Sequence, residues 1–221
     1  MQVRFLGHAG CLLQDRGVTL AIDPWLTGNP LAVDDPADIK ADYILLTHAH
    51  DDHMGDTIEI AKANDALIIT TFEVANLCQE QGARAHPMHV GGRRDFDFGS
   101  VRLTPATHGS GVPGGLASGF LVELFDTTVY HAGDTGIFGD MELLADMVDI
   151  DLAFLPIGGN FTMDIDDAVV ATAMLQPRIV IPIHYNTFPV IEADPGEFRD
   201  AVEEDLDTEV VILAPGETFS L

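Results

Sequence analysis

The sequence predicts an α/β fold in which two β-sheets pack against each other and helices cover their outer faces. Three observations lead to this prediction. Short strand-like runs form hairpin-like groups in each half of the chain, helix-like segments are interspersed with them, and 47% of the 221 residues are hydrophobic, which is sufficient for a large buried core. The length favours one domain, and we expect residues 1–221 to form it.

The first half begins with three short strands. A tight turn at Arg16-Gly17 joins the second strand to the third, and a loop rich in proline, glycine and aspartate (24–38) follows. Asp56 is a candidate N-cap for the first helix, and Gly82 is a candidate stop for the second. The predicted elements are strands at Gln2–Leu6, Cys11–Asp15, Val18–Ile22, Tyr43–Leu46 and Ala66–Thr70, and helices at Thr57–Asn64 and Glu73–Gln81.

The second half repeats this alternation. Its clearest helix is Ile165–Leu175, for which Asp164 is a candidate N-cap and Pro177 a stop. We predict that its apolar face comprises Ile165, Ala168, Val169, Thr172 and Ala173. The remaining predicted elements are strands at Phe96–Phe98, Val101–Pro105, Gly119–Phe125, Thr128–His131, Leu152–Pro156, Ile179–Ile183 and Glu209–Leu213, and helices at Met141–Met147 and Gly196–Glu204.

The charge balance is strongly acidic. Ten Lys and Arg face 36 Asp and Glu, which gives a formal net charge of −26, and the acids are spread along the chain. Self-repulsion of this size opposes compaction at ordinary salt, whereas molar salt shortens the Debye length to about 3 Å, so we expect a host with a salt-rich cytoplasm. The alternative, an acidic patch for a basic partner, would require clustered acids. The charge also argues against a nucleic-acid partner, because phosphate binding relies on Lys and Arg, unless positive charge is focused in one cleft.

The sequence favours a cytoplasmic location. No apolar run approaches the roughly 20 residues of a membrane helix, and the first residues lack the features of a signal peptide, so we expect no membrane partner. Cys11 and Cys78 cannot form a disulfide framework, and we expect both to be small buried hydrophobic residues.

The segment Thr47–His53 carries the strongest chemical signal. Three of the nine histidines of the chain fall within six residues, next to two aspartates and directly after an apolar strand. In extended backbone His48 and His50 point to the same side, and a turn would bring Asp52 and His53 round the same point. Imidazole and carboxylate together suit Zn²⁺, Mn²⁺ or Fe²⁺. A polar loop with chance histidines is the bland alternative.

Three further metal-ligand candidates stand just past other predicted strands. His108 follows Val101–Pro105, Asp134 follows Thr128–His131, and His184 follows Ile179–Ile183. Each residue alone has an ordinary structural explanation. Their recurrence at successive strand ends indicates a site with more than one metal ion.

The pattern of these motifs resembles the metallo-β-lactamase superfamily, and more closely the UPF0173 metal-dependent hydrolases. The resemblance extends from Val3 to Glu217 and is carried by the motifs Gly7-His8-Ala9, Asp23-Pro24, Thr47–His53, Tyr130–Gly136, Pro156–Met163 (PIGGNFTM) and Pro182–Pro189 (PIHYNTFP). It implies a four-layer αββα sandwich, an α/β metallo-β-lactamase fold, with a two-metal site on one edge. It further implies that one metal is held by His48, His50 and His108, the second by Asp52, His53 and His184, and that Asp134 bridges them.

The resemblance implies a hydrolase with two divalent metal ions, zinc being the first expectation and manganese or iron the alternatives. A metal-bound hydroxide would then cleave an ester, amide, thioester, phosphodiester or lactone bond of a small-molecule substrate. Histidine at position 50 favours hydrolysis over the redox chemistry of diiron relatives, which usually have an acid there. Asp134 stands where class B β-lactamases have cysteine, so antibiotic hydrolysis is not expected.

Several residues near the ligand candidates are assigned supporting roles. Asp52 is expected to handle a proton as well as to bind metal, and His8 to act as a proton donor or substrate contact; packing of His8 in a hairpin is the alternative. Asp23 is a candidate hydrogen-bond partner of a metal-binding histidine, and His131 is expected to pack or to support the site from behind it. The candidate substrate contacts are Asn160, Tyr185 and Asn186.

Two alternatives stay open at this stage. A metal-binding module without catalytic activity, with a regulatory or scaffold role, would need the same ligands. A nuclease is disfavoured by the acidic charge and by the lack of room for a large accessory domain. The superfamily often assembles, so a homo-oligomer is compatible with the sequence.

Overall fold

A computed structural model describes residues 1–221. Its fourteen strands form two seven-stranded sheets, in the orders β14-β1-β2-β3-β4-β5-β6 and β13-β12-β11-β10-β9-β8-β7. The strands are β1 Gln2–Gly7, β2 Gly10–Asp15, β3 Val18–Ile22, β4 Tyr43–Leu45, β5 Leu67–Thr71, β6 Ala85–Met88, β7 Arg93–Phe96, β8 Gly99–Pro105, β9 Ser118–Leu124, β10 Thr127–His131, β11 Leu152–Pro156, β12 Ile179–Ile183, β13 Glu209–Val210 and β14 Thr218–Ser220.

Six α-helices and three apolar clusters complete a four-layer sandwich. A central cluster of 23 buried residues, among them Phe98, Phe120 and Phe154, fills the space between the sheets. The other two clusters lie between each sheet and its helices. The helices are α1 Asp51–Met54, α2 Thr57–Asn64, α3 Phe72–Glu80, α4 Met141–Met147, α5 Ile165–Leu175 and α6 Pro195–Asp205. The predicted αββα arrangement is therefore confirmed. None of these helices, the longest of which have eleven residues, has the length and apolar composition needed to cross a membrane.

Parallel pairing in the middle of each sheet gives the fold its functional edge. β3, β4, β5 and β6 run parallel in the first sheet, and β10, β11, β12 and β13 run parallel in the second. β8 shares the direction of β10, because each pairs antiparallel with β9. The carboxyl ends of these strands therefore open onto one edge of each sheet, where sites of parallel sheets are usually built.

Local sequence signals explain α5 well. The Asp164 carboxylate accepts a hydrogen bond from the Asp167 backbone N–H, as an N-cap does, and Gln176 ends the helix in the left-handed conformation. The predicted apolar face is only partly right. The fully buried positions are Ala168, Ala171, Thr172 and Leu175, whereas Ala173 is exposed. α5 packs between α4 and α6, and this packing decides which side of the helix is buried. Because α5 is apolar on most sides, its sequence alone does not show which side that is.

Other differences arise where tertiary pairing overrides local pattern. The predicted strand at Phe96–Phe98 lies three residues earlier, as β7, because the charged Arg93 and Arg94 form an exposed hairpin with β8. β6 and β14 were not predicted, since neither has a distinctive pattern and each exists through a neighbouring strand. The strand predicted to reach Leu213 stops at Val210. The side chain of Asp56 does not cap α2, because its carboxylate accepts the backbone N–H groups of Leu26 and Thr27, both at 2.8 Å.

Candidate metal centre

All candidate ligands lie in the segments that follow the carboxyl ends of strands. His48, His50, Asp52 and His53 follow β4, and α1 wraps the last two back toward the strand end. In the second sheet, the ligand candidates after β8, β10 and β12 are His108, Asp134 and His184. The two sheet edges meet face to face, so residues separated by more than 100 positions in sequence come together.

The Asp134 carboxylate lies at the centre of the histidines. One of its oxygens lies 3.0 Å from His53 Nε2. The other lies 3.1 Å from His184 Nε2, 3.5 Å from His108 Nε2 and 4.0 Å from His48 Nε2. The carboxylate therefore lies between histidines of the first sheet and histidines of the second, which is the place that a bridging ligand requires.

The donor atoms form two separate groups, and a third group of His48, His53 and Asp134 shares one member with each of them. Within each group the ligand atoms lie within 4.8 Å of one another. The first group consists of His48, His50 and His108, and the second consists of His8, Asp52, His53 and His184. These groups match the two ligand sets that the resemblance implies, with His8 added to the second.

Buried donors without a hydrogen-bond partner show that the residues fit metal ions. His8 Nε2, His48 Nε2, His53 Nε2, Asp134 Oδ1 and both ring nitrogens of His184 are buried and make no hydrogen bond of regular geometry, although three of the nitrogens lie 3.0 to 3.3 Å from a carboxylate oxygen. Buried polar atoms are nearly always hydrogen-bonded, so a concentration of unpaired ones in one place calls for a ligand. Imidazole nitrogens and carboxylate oxygens converging from several directions are the donor set of Zn²⁺, Mn²⁺ or Fe²⁺.

Asp23 orients two of the histidines. Its carboxylate lies 2.7 Å from His53 Nδ1 and accepts hydrogen bonds from the Thr47 hydroxyl at 2.6 Å and from the Thr47 backbone N–H at 2.8 Å. The Thr47 hydroxyl in turn lies 2.9 Å from His48 Nδ1. Because the Nδ1 side of each ring is engaged, Nε2 of both histidines faces the centre. Carboxylate–histidine pairs of this kind fix the tautomer and orientation of metal-binding imidazoles.

His8 lies between two candidate ligands, His184 and Asp52, on one side and Thr187 on the other. Its ring lies 4.0 Å from that of His184, and its Nε2 lies 3.3 Å from Asp52 Oδ2. His8 Nδ1 lies 2.8 Å from the Thr187 hydroxyl, which donates to the Tyr185 carbonyl at 3.4 Å. The Thr187 hydroxyl therefore holds the Nδ1 side of the ring, and Nε2 faces the Asp52 carboxylate. His8 is buried in the β1–β2 turn, and its role as a proton donor or substrate contact stays a prediction.

The charge states of the centre follow from burial and from close pairs. Burial lowers the pKa of His48, and it lowers the pKa of His8 to about 4. His53 differs, because the carboxylates of Asp134 and Asp23 raise its pKa against the effect of burial. Burial would raise the pKa of Asp134, but His53 and His184 lower it well below its usual range. The lowered pKa of His8 favours its neutral form at neutral pH.

Strained backbone holds several of these groups in place. His8, Asp23 and His184 have φ values of +57°, +44° and +56°, in the left-handed region that residues other than glycine seldom adopt. Such conformations persist where the surrounding structure imposes them, and they concentrate at functional sites. Gly133, with φ +60°, makes the turn into Asp134, and a Cβ there would lie 2.9 Å from Thr47 Cγ2.

His131 supports this turn from beneath. It is fully buried, its Nε2 lies 2.9 Å from the Ala9 carbonyl, and its Nδ1 accepts the Gly133 backbone N–H at 3.1 Å. Both ring nitrogens are thus engaged by backbone, and the ring links the β1–β2 turn to the turn that carries Asp134. The expected role of His131 behind the site agrees with this position.

The three predicted substrate contacts lie outside the cluster. Tyr185 packs partly buried against the core between the second sheet and its helices. The Asn186 side-chain oxygen accepts the Ala193 backbone N–H at 2.9 Å, and Asn160 is exposed, with φ +55°. None of the three side chains hydrogen-bonds to the histidines, and their roles as substrate contacts stay predictions.

The sequence predicted that His8 reaches the site, but it did not predict the contacts of His8 with Asp52 and His184 or the part of Thr187. His8 and Asp52 follow different strands of the first sheet, whereas His184 follows a strand of the second sheet. The sequence feature that pointed to position 8 was the Gly7-His8-Ala9 motif at the end of β1. Cys11 and Cys78 are buried and free, as predicted.

The fold and the donor set define a metallo-β-lactamase-type protein. Residues 2–184 match the family model described as a beta-lactamase superfamily domain. UPF0173 metal-dependent hydrolases of Natranaerobius thermophilus and Pelotomaculum thermopropionicum are 49% identical over 221 residues and 48% identical over 229 residues, in both cases over the full length of both chains. This chain belongs to the UPF0173 metal-dependent hydrolase family, as the sequence motifs indicated.

A solved structure supports the same assignment. Igni18, a metallo hydrolase from the hyperthermophilic archaeon Ignicoccus hospitalis, has a TM-score of 0.93 and 38% identity, over 100% of this chain and 98% of that one. These relatives come from thermophilic organisms and give no support to the salt-rich host expected from the charge. The acidity of this chain is therefore a property to be tested directly.

Proposed function

We propose that this protein binds two divalent metal ions, zinc being the first candidate, and hydrolyses an ester, phosphodiester, lactone or related bond of a small substrate. The observation that supports this proposal most is the position of Asp134, whose carboxylate lies within 3.0 to 4.0 Å of four histidine nitrogens. A single carboxylate between two ligand groups suits a pair of ions that share it.

Two sets of residues would bind the two ions. His48, His50 and His108 would hold one ion, and Asp52, His53 and His184 the other, with Asp134 shared and His8 close to the second. When bound, the ions supply Lewis acidity and a water nucleophile that is active near neutral pH. Asp23 and Thr47 hold the rings of His53 and His48 in place, so the ligands need little rearrangement when an ion binds.

The Asp52–His8 pair is the candidate for proton handling. Asp52 Oδ2 and His8 Nε2 are 3.3 Å apart, and the Thr187 hydroxyl holds the far side of the His8 ring at 2.8 Å. The pair can hold one proton between an oxygen and a nitrogen, take it up during attack by water, and deliver it to the leaving group. Asp52 is partly exposed while His8 is buried, so the substrate would meet the pair from the Asp52 side.

The first experiment is elemental analysis of metal per chain, on protein purified without chelator and in high salt. About two equivalents of Zn, Mn or Fe would support the two-metal proposal and name the metal to supply in a screen of esters, lactones, thioesters and phosphodiesters. Less than half an equivalent, not restored by added metal, would overturn it. Full metal content without turnover of any substrate class would favour the non-catalytic metal-binding module.

Other expectations from the sequence stay predictions. A cytoplasmic location, a homo-oligomer and the lack of a nucleic-acid partner each need their own measurement. The charge of −26 remains the argument against a polyanionic partner.

A further inference from the structure

Exposed apolar side chains concentrate at the edge that carries the metal centre. Eight large apolar residues are exposed in the structure, and three of them lie on α4 and α5, at Leu143, Met147 and Val170. The other five follow the carboxyl ends of five different strands, at Val33, Phe72, Leu116, Phe161 and Val190. We call these five residues the apolar rim. Clustered exposed apolar residues of this kind mark interaction or ligand-binding surfaces.

Backbone hydrogen bonds tie the loops of the rim to segments beside the candidate ligands. In the loop of Leu116, the Ser110 carbonyl accepts the Ala49 N–H at 2.8 Å, between His48 and His50. In the loop of Phe161, the Met163 N–H donates to the Thr135 carbonyl at 2.9 Å, next to Asp134. In the loop of Val190, the Ile191 carbonyl accepts the Asn186 N–H at 2.9 Å, just past His184. The loops that carry Leu116, Phe161 and Val190 are therefore held next to the candidate ligands.

Two aromatic rings, Trp25, which is 9% exposed, and the half-buried Phe188, pack against His8 beneath this surface. The rings of Trp25 and Phe188 stack with centroids 5.9 Å apart, and they meet the His8 ring edge-on at 5.2 and 5.7 Å. His8 in turn faces Asp52. An apolar group of a substrate could thus extend from the proton-handling pair along aromatic carbon.

The same edge has no basic residue of its own. Its loops are defined as the segments 23–38, 46–56, 71–73, 106–117, 132–140, 157–164 and 184–194. None of them contains Lys or Arg, and all except 106–117 contain Asp or Glu. Arg4, whose guanidinium reaches the first segment, is paired with Asp34 at 2.6 Å, and Lys62 Nζ lies beside Gly82 between α2 and α3. Phosphate and carboxylate groups of substrates are usually held by Arg or Lys, and beyond the metal ions these loops offer an anion only acidic or neutral neighbours.

We propose that the substrate of this site is an uncharged carboxylic ester, open-chain or cyclic, that carries an apolar group, and that the apolar rim and the Trp25–Phe188 pair bind this group. The proposal rests on the hydrolytic function proposed above and narrows its substrate class, since it disfavours phosphodiesters and other anions. Hydrolysis breaks the acyl C–O bond, adds the OH of water to the acyl carbon and places the other proton on the alcohol oxygen. Water is the only co-reactant, and nothing is oxidised or reduced.

Trp25 allows binding to be measured without turnover, because it is the single tryptophan of the chain. Methyl ketones from butan-2-one to octan-2-one, which are neutral and resist hydrolysis, would be titrated against the metal-loaded protein while Trp25 fluorescence is recorded. We expect Kd to fall about tenfold for each two methylene groups added. Dibutyl phosphate, an anion with comparable apolar chains, is expected to bind at least about tenfold more weakly than octan-2-one.

Matched variants test whether the rim is responsible. The double variant Leu116→Ser with Phe161→Ser should lose most of the chain-length dependence, both in ketone Kd and in kcat/KM for p-nitrophenyl acetate, butyrate and hexanoate, and should keep its metal content. Leu143→Ser is the control, since Leu143 on α4 is exposed to 55% and Leu116 to 57%. It should behave as the parent protein.

The outcomes separate this proposal from the proposed function. A Kd independent of chain length, an equal effect of Leu143→Ser, or tighter binding of dibutyl phosphate would each overturn the assignment of the rim. Cleavage of phosphodiesters with no preference for apolar esters would leave the hydrolase intact and refute the substrate class. Ketone binding that depends on chain length, without turnover of any ester, would support the apolar rim as a binding surface and refute the hydrolytic function.

Discussion

His53 Nδ1 lies 2.7 Å from Asp23 Oδ2, and both side chains are completely buried. The contact joins residues 30 positions apart, across the carboxyl ends of the neighbouring strands β3 and β4. It leaves His53 Nε2 facing Asp134. Asp23 is therefore the residue through which the first sheet orients the candidate metal ligand His53.

Replacing Asp23 tests this orienting role. Asp23→Asn keeps an oxygen for the Thr47 N–H but places an amide N–H₂ toward His53 or toward the Thr47 hydroxyl, so the anionic acceptor is lost. We expect metal affinity to fall about 10- to 100-fold, as measured by competition with a chelator of known affinity. Asp42→Asn is the control, because the Asp42 carboxylate accepts only the exposed Thr19 N–H. Unchanged affinity in the Asp23 variant would contradict the role.

Removing one ligand from each part of the centre should abolish hydrolysis. His50→Ala removes a ligand of the first group, and Asp134→Ala removes the shared carboxylate. We expect both variants to lose activity toward any substrate found, and metal content to fall from about two equivalents to about one in His50→Ala. His86→Ala, at a half-buried histidine in β6 outside the cluster, should retain both. Full activity in either ligand variant would refute the two-metal mechanism.

The turn before Asp134 should not tolerate a side chain. Gly133→Ala places a Cβ 2.9 Å from Thr47 Cγ2 and 3.0 Å from the Ser118 carbonyl, at φ +60°. We expect the free energy of unfolding in urea to fall by about 1–3 kcal/mol, with a loss of bound metal as Asp134 shifts. Gly136→Ala is the matched control, because no atom lies within 4 Å of its Cβ position and its φ is not in the left-handed region. Equal stability of the two variants would show that the turn relaxes freely.

The acidic charge should make stability depend on salt. The structure pairs most arginines with acids, for example Arg4 with Asp34 and Arg178 with Asp151, but ten basic residues cannot offset 36 acids. We expect Tm to rise with NaCl from low to molar concentration, and the chain to unfold or aggregate on dialysis to low salt, because screening removes self-repulsion. A neutral osmolyte at matched osmolality should not reproduce the rise. A Tm independent of salt would remove the basis for the salt-rich host.

Much of the fold could be read from the sequence because its signals are local. The strand Val18–Ile22, the capped helix Ile165–Leu175 and the dense Thr47–His53 motif each depend on residues close together in the chain. Strands at sheet edges were the failures: β14 is three residues long and exists because β1 pairs with it. Nothing within such a segment distinguishes it from a loop.

The sequence by itself determined the class of fold, the metal-ligand residue types and the excess of negative charge. Only the tertiary structure decided which ligands meet. It placed Asp134 between His53 of the first sheet and His184 of the second, and it brought His8 to Asp52 along the edge of the first sheet. The physical reason is that parallel strands bring their carboxyl ends to a shared edge, so side chains more than 40 residues apart in sequence become neighbours within 3.0 to 3.3 Å, a relation that no local pattern encodes.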